Sequence, residues 1–413
     1  MAPGSRPETA EAAPSIQEIA RLAGLPPVQS AFRWFVAQEP QIAGWQMQLA
    51  GIAGPPFGEG ERAFWLAERF RELELDDVHI DEVGNVFGVR RGIEASNRFL
   101  AISAHIDTVF PAGTTLRPRR EGSRLYGPGI SDNGAGVAAL LATAGSMQDS
   151  GIRHLGPLVF IGNVGEEGEG DLRGMRHIFS DPHWSEAIKA TLVLDGAGAD
   201  SIVAEALGSR RFEIVVRGPG GHSWSDFGAP NPIIVLARAI ERFTQVRVAA
   251  VPKTTFNIGV IRGGTSVNSI PESASMRVDL RSTSSAEIDR LETALRVALD
   301  QALMADAGRA RNGALTYEAS VIGSRPAGEL DSSARILRVL RAVDSHLGNP
   351  SQVQRASTDA NIPLSLGREA VAIGGGGTGG GAHTLQEWFD CAGRELALKR
   401  ILLATLALTG VAA

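Results

Sequence analysis

The chain has 413 residues, with 40 Lys plus Arg against 46 Asp plus Glu and a formal net charge of −6. That length suggests about two domains, and the mild acidic excess argues against a dedicated nucleic-acid binder. Hydrophobic residues at 43% suffice for a core and exclude disorder as the dominant state, while the single cysteine, Cys391, excludes a disulfide framework and a thiolate zinc site. Any metal must therefore rest on His and carboxylate.

In chain order, Met1 to about Ser15 is rich in Ala, Pro and Glu, without a basic start or an apolar run. It is not a secretory signal, and residues 1–15 are expected to form a frayed tail. No run of about 18 apolar residues occurs, so no membrane span is expected, and the expected location is the cytoplasm. Glu61–Leu73 is an amphipathic helix candidate. Phe99–Ile102, Leu158–Ile161, Thr191–Leu194 and Ala370–Ile373 are almost continuously apolar, as strands are when both sheet faces are covered. Between the first two lies a helical stretch, Gly134–Met147, with Val137, Leu140, Leu141 and Met147 as its apolar residues. This alternation predicts an α/β domain with a mainly parallel sheet.

From about Ser209 the style changes. Arg211–Arg217 alternates, with Phe212, Ile214 and Val216 on one face. A helix is predicted over Pro232–Val246, then strands over Thr254–Ile261 and Ser273–Leu280. Ser284 and Glu287 have capping-box spacing, and Ile288, Leu291, Leu295, Leu299 and Leu303 continue as a helical stripe. Ala314–Ile322 is the last strand. The order β-α-β-β-α-β predicts a small open sheet covered on one face by two helices. After about Arg325 the first style returns. The expected layout is a catalytic domain in two parts, 16–208 and 325–413, interrupted by an inserted α+β domain at 209–324.

In open α/β sheets, sites gather at the carboxyl ends of strands. Here those ends carry Ala104-His105-Ile106-Asp107, Gly165-Glu166-Glu167-Gly168 and Asp195-Gly196. Ser131-Asp132-Asn133-Gly134 stands just before a helix, and His383 follows the last strand and a glycine tract. On a strand His105 and Asp107 share a face, so Asp107 could orient the imidazole. Singly, each is an ordinary turn residue. Jointly, two His and several carboxylates at strand ends have the composition of a metal site without thiolate. The tract Gly374–Gly381 holds a dinucleotide-like glycine pattern, but such a fingerprint should open the first βα unit. It is read instead as a loop able to approach the site. His79, His154, His177, His183 and His346 match no ligand position.

These motifs resemble the M20 family of zinc peptidases and amidohydrolases, in its peptidase T-like and carboxypeptidase-like branches. The matching residues are Ala104–Thr108, Gly129–Gly134, Glu166–Gly174, Asp195-Gly196 and Gly381–Thr384, and the resemblance runs from about residue 45 to the C-terminus. It implies two divalent ions, zinc or alternatively cobalt or manganese, in a discontinuous catalytic domain. It also implies an inserted lid domain that forms a homodimer. By match, Asp132 bridges both ions, His105 and Asp195 ligate one, Glu167 and His383 ligate the other, Glu166 is the general base and Asp107 orients His105. In the inserted domain, His222 of Gly220-Gly221-His222-Ser223 corresponds to a residue that reaches the other subunit's site and stabilises an oxyanion. Asn268 and Arg281 correspond to residues that bind a substrate carboxylate or amide, and Asp359 lies in a loop near the substrate. The implied activity is metal-dependent cleavage of an amide bond, with an exopeptidase on short peptides ahead of a deacylase of N-acyl or N-carbamoyl amino acids. A non-catalytic metal-binding scaffold would lack the base, and Glu166 is present.

Overall fold

In the computed structural model, which describes residues 14–307 and 313–412, the four apolar runs become the parallel centre of one sheet. Leu158–Asn163, Phe99–His105, Ile188–Leu194 and Glu369–Ile373 lie side by side in that order. Val86–Arg90 and then Asp76–Ile80 extend the sheet antiparallel on one flank, and Ser201–Ala206 does so on the other. The class is thus α/β with a parallel core. Both faces of these strands are covered, which is why the runs read as continuously apolar rather than alternating.

The register aligns the strand ends. His105 pairs laterally with Asn163, Ser103 with Val193, and Leu194 with Ile373. Residues just beyond these positions therefore emerge at one edge of the sheet. The helix Gly134–Asp149 packs on Glu39–Ala50 and Pro26–Ala37 as well as on the sheet. It is buried on all sides because Ala and Gly fill the positions between its larger residues, so it is a core helix rather than an amphipathic one.

The chain divides into two compact units: residues up to Ala204 together with those from Glu329 onward, and Glu205–Gly328. Within the second unit the strands run Thr254–Gly263, Ser273–Ser282, Gly208–Arg217, Thr316–Arg325, each antiparallel to its neighbour. The helices Pro232–Thr244 and Ser285–Ala307 pack on this sheet. Phe212, Ile214 and Val216 point into their shared core with Val235, Phe243, Met276, Leu291 and Leu295. This is the predicted β-α-β-β-α-β order. The expected capping box is not formed as read: the Ser284 N–H donates to Ser282 Oγ, and Glu287 pairs with Arg290.

The expected tail falls mostly on residues 1–13, which lie outside the described residues. Ser15 belongs instead to a helix start. Its Oγ accepts from the Glu18 N–H, and Glu18 accepts from the Ser15 N–H, around the first turn of Ile16–Ala23. The glycine tract leads into a hairpin strand, Thr378–Gly380, paired with Trp388–Asp390, and not into a helix. A dinucleotide fingerprint has no helix N-terminus to work with there.

Candidate metal centre

His105 ends its strand, and Asp107 follows two residues later; both are buried. Asp132 sits in the turn before Gly134–Asp149. That turn begins at Gly129, whose φ of 72° is left-handed and where a Cβ would lie 2.5 Å from Thr108 Cγ2; only glycine suits the position. Asn133 caps the helix, accepting from the Gly136 N–H at 3.0 Å. The same Oδ1 accepts from the Gly196 N–H at 3.0 Å, and Nδ2 donates to the Leu194 carbonyl at 2.9 Å. One side chain thereby ties the Asp132 turn to the Asp195 turn.

Glu166 and Glu167 follow Leu158–Asn163 and are both buried. Their N–H groups donate to Asp107 Oδ1 at 3.0 Å and Oδ2 at 2.8 Å, which joins this turn to the end of the His105 strand. His383 stands on the hairpin loop between Thr378–Gly380 and Trp388–Asp390.

These turns converge on two triads that share Asp132: His105, Asp132 and Asp195, and Asp132, Glu167 and His383. His105 Nε2 lies 3.2 Å from Asp132 Oδ1 and 3.7 Å from Asp195 Oδ1. His383 Nε2 lies 3.1 Å from Asp132 Oδ2 and 3.0 Å from Glu167 Oε1. Asp132 therefore offers one oxygen to each triad. His105 Nδ1 faces Asp107 Oδ1 at 3.5 Å, an ion-pair contact longer than a good hydrogen bond.

The donor set fits divalent ions. Tetrahedral zinc with bonds of about 2.0–2.1 Å places neighbouring ligand atoms about 3.3–3.4 Å apart. The observed separations of 3.0–3.7 Å bracket that spacing. Imidazole nitrogen with carboxylate oxygen also suits cobalt and manganese.

The electrostatics match a site that binds cations. Burial opposes a charge on His105, yet Asp107, Asp132 and Asp195 outweigh it and hold the imidazole well above its usual range. Burial likewise works against the Asp132 charge, but the two histidines pull its carboxyl below the normal value. Hydrogen bonding to Asp132 is the main cause that lifts His383 to about 9. Burial, with the Asp132 charge adding to it, pushes Glu167 up to about 7. Two imidazoles thus hold protons where cations would otherwise neutralise the carboxylates.

Asp359, expected near the substrate, is fully buried. Its Oδ2 accepts from Asn163 Nδ2 at 2.6 Å, and burial raises its carboxyl to about 7. Because Asn163 is the lateral neighbour of His105, Asp359 packs beneath the strand end and is closed to substrate. The residue readings also missed Asn133 and Arg62. Asn133 carries a sequence signal, an Asn immediately before a helix. Arg62 carries none: it is buried, donates to the carbonyls of Ile52 at 2.8 Å and Ile106 at 2.9 Å, and burial lowers it to about 10.

In Glu205–Gly328, His222 pairs with Ser269 in a short ladder, and the Ser223 N–H donates to the Asn268 carbonyl at 3.0 Å. His222 and Asn268 are therefore neighbours, both exposed. His222 Nδ1 accepts from the Trp224 N–H at 3.2 Å, which leaves Nε2 as the N–H donor of the neutral ring. A cleft of about 750 Å³ borders this ladder, lined by Gly221, Arg262, Thr265, Ser269, Ile270 and Glu272 among others. Arg281 lies near the far end of the strand that starts at Ser273. At about 3.4 Å per residue that is about 27 Å from the first residue of the strand, whereas Asn268 precedes the strand. Arg281 Nε donates to Asp279 Oδ2 at 2.6 Å.

A model of peptidase family M20/M25/M40 matches residues 101–407. A probable carboxypeptidase of Ajellomyces capsulatus is 29% identical over 241 residues, 54% of each chain. The chain thus spans about half the length of that relative. A succinyl-diaminopimelate desuccinylase of Burkholderia vietnamiensis is 25% identical over 268 residues, 57% of this chain and 67% of its own. Among solved structures, aminopeptidase PepT from Bacillus cereus has the same fold, with a TM-score of 0.73 at 20% identity over 90% of this chain and 98% of its own. YXEP from Bacillus subtilis, described as a dinuclear metal binding peptidase from the M20 family, has a TM-score of 0.65 at 16% identity over 91% of this chain and 99% of its own.

Proposed function

The chain belongs to peptidase family M20/M25/M40, and on that footing we propose that it is a dinuclear metal-dependent hydrolase that cleaves an amide bond of short peptides as an exopeptidase. The observation that carries this reading is Asp132, with one oxygen in each triad, beside a turn that presents Glu166 next to Glu167. Asp132 would serve both ion sites, with His105 and Asp195 completing one and Glu167 and His383 completing the other. When bound, two divalent ions polarise the scissile carbonyl and activate a water. Glu166 would take a proton from the attacking water and return it to the leaving nitrogen. Asp107 fixes the Glu166 and Glu167 backbone through its two oxygens and faces His105 Nδ1, so base and ligands are held before substrate arrives. His222 would supply an N–H to the developing oxyanion in the other subunit of a dimer, and Asn268 and Arg281 would contact the substrate.

Zinc as the metal, with cobalt or manganese as substitutes, a homodimer through Glu205–Gly328 and a cytoplasmic location are parts of the same proposal. A second reading, a deacylase of N-acyl or N-carbamoyl amino acids, draws on the likeness to a desuccinylase. Both readings use the same ligands. Assaying di- and tripeptides against N-acylated amino acids, with each metal, separates them. Glu166→Gln tests the shared chemistry: the ions stay bound and turnover falls by about 10²–10⁴-fold. Wild-type turnover in that variant removes Glu166 as the base.

A further inference from the structure

Glu387 belongs to none of the motifs and to neither triad, yet it is 1% exposed and carries a carboxylate. Burying such a group is costly unless its oxygens are satisfied. Here they are satisfied almost entirely by the backbone of one turn. Oε2 accepts from the Gly129 N–H at 2.8 Å, and Oε1 accepts from the Ser131 N–H at 2.7 Å and the Asp132 N–H at 2.8 Å. The Glu387 carbonyl also accepts from the Gly127 N–H at 3.1 Å. The amide of the shared ligand is therefore bound directly by this side chain.

Glu387 sits on the loop that carries His383. The Thr384 N–H bonds to the Gly381 carbonyl, and the Glu387 N–H to the Thr384 carbonyl, so the two residues are joined by consecutive turns. One end of this loop offers His383 Nε2 to Asp132 Oδ2 and Glu167 Oε1. The other end grips the Asp132 backbone. His105 and Asp195 are held by different elements, their own strand ends and Asn133.

We propose that Glu387 is a positioning residue that fixes the spacing between Asp132 and His383 and so governs occupancy of the ion site formed by Asp132, Glu167 and His383. It acts on the ligands without touching the ion. Partners of this kind typically change metal affinity by about 10–100-fold when replaced. The inference rests on the dinuclear reading given above.

Glu387→Gln keeps the size but turns one acceptor into a donor facing a backbone N–H. Zinc per chain is measured after equilibrium dialysis at a series of free zinc concentrations. The wild type takes up two ions. Glu387→Gln keeps the first ion near wild-type affinity and binds the second about 10–100-fold more weakly. Glu387→Asp, which keeps the acceptors, recovers part of that loss. Unchanged affinity for both ions, or equal loss at both, overturns the role of Glu387. A wild type that never takes up a second ion overturns the dinuclear reading instead. If neither variant folds, hydrogen exchange in the chelated wild type decides: the amides of Gly129, Ser131 and Asp132 exchange slowly, and exchange as fast as in the exposed turn at residues 121–123 overturns the proposal.

Discussion

The turns at the edge of the large sheet and the His222 face of Glu205–Gly328 differ in how their polar groups are held. On the large sheet each turn is bonded to another: Asn133 joins Asp132 to Asp195, and Asp107 joins His105 to Glu166 and Glu167. In Glu205–Gly328 the bonds are local and the groups largely exposed. His222 accepts from Trp224 two residues on, Ser266 donates to Asn268, and Arg281 donates to Asp279. Cross-linking is concentrated at the two candidate ligand triads, where a ligand misplaced by a fraction of an ångström would weaken metal binding.

If that contrast is right, the largest effect comes from the residue shared by both triads. Asp132→Asn removes one oxygen and the charge. Bound ions should fall below two per chain, and turnover should fall further than in Glu166→Gln. Elemental analysis with kcat checks this, and two ions at wild-type turnover would dissolve the idea of a shared ligand. On the other side of the comparison, His222→Ala should leave metal content unchanged and lower kcat by about 10²–10³-fold, as for loss of one oxyanion donor. Mixing His222→Ala chains with Glu166→Gln chains should restore part of the activity if His222 serves a second copy. A flat result on mixing excludes that arrangement.

A pH series sharpens the same contrast, since His383 and Glu167 are both shifted upward, to about 9 and about 7. Without metal, each raised pKa means that the folded chain binds protons more tightly than the unfolded one. Their stabilising contribution is present at low pH and is lost as pH rises, through about 7 for Glu167 and about 9 for His383. Metal needs both groups deprotonated, so its apparent affinity rises over the same window, by up to about tenfold per pH unit for each proton displaced. Melting of the chelated protein at pH 6, 7.5 and 9, with and without zinc, should show the metal-free Tm falling and the zinc increment growing. A zinc increment independent of pH would mean that His383 is no ligand.

What could be read from the sequence follows from where each signal lies. His105, Glu167 and Asp195 are visible because apolar runs end in ligand residue types, and Asp132 because it stands in a glycine-flanked turn just before a helix. The β-α-β-β-α-β order is visible because Phe212, Ile214 and Val216 alternate and Leu291, Leu295 and Leu299 recur at helical spacing. The helices Pro26–Ala37, Arg335–Leu347 and Arg394–Thr409 do not stand out in the sequence, although a proline at the first position marks the start of the earliest. Arg62, Asp359 and Glu387 are illegible for a different reason. Charged residues are ordinarily exposed, and only the assembled strands and loops reveal that these three are buried and what they hold.

The smallest expected effects concern Asn268 and Arg281, and they test how the exposed face engages substrate. Each single Ala variant should raise KM by roughly 10-fold on substrates that it contacts, with kcat nearly unchanged, since a hydrogen bond to a charged group is worth roughly 1.5–3 kcal/mol. Asn268 precedes the strand that starts at Ser273, and Arg281 lies near the far end of that strand, so the two are not neighbours of the kind whose substitutions couple. The double variant should therefore multiply the two losses to roughly 100-fold. A loss no greater than that of one single variant would mean that both residues grip the same substrate group. Because Asn268 and Arg281 stand at opposite ends of this region of the sheet, that outcome would point to a second copy supplying one of them.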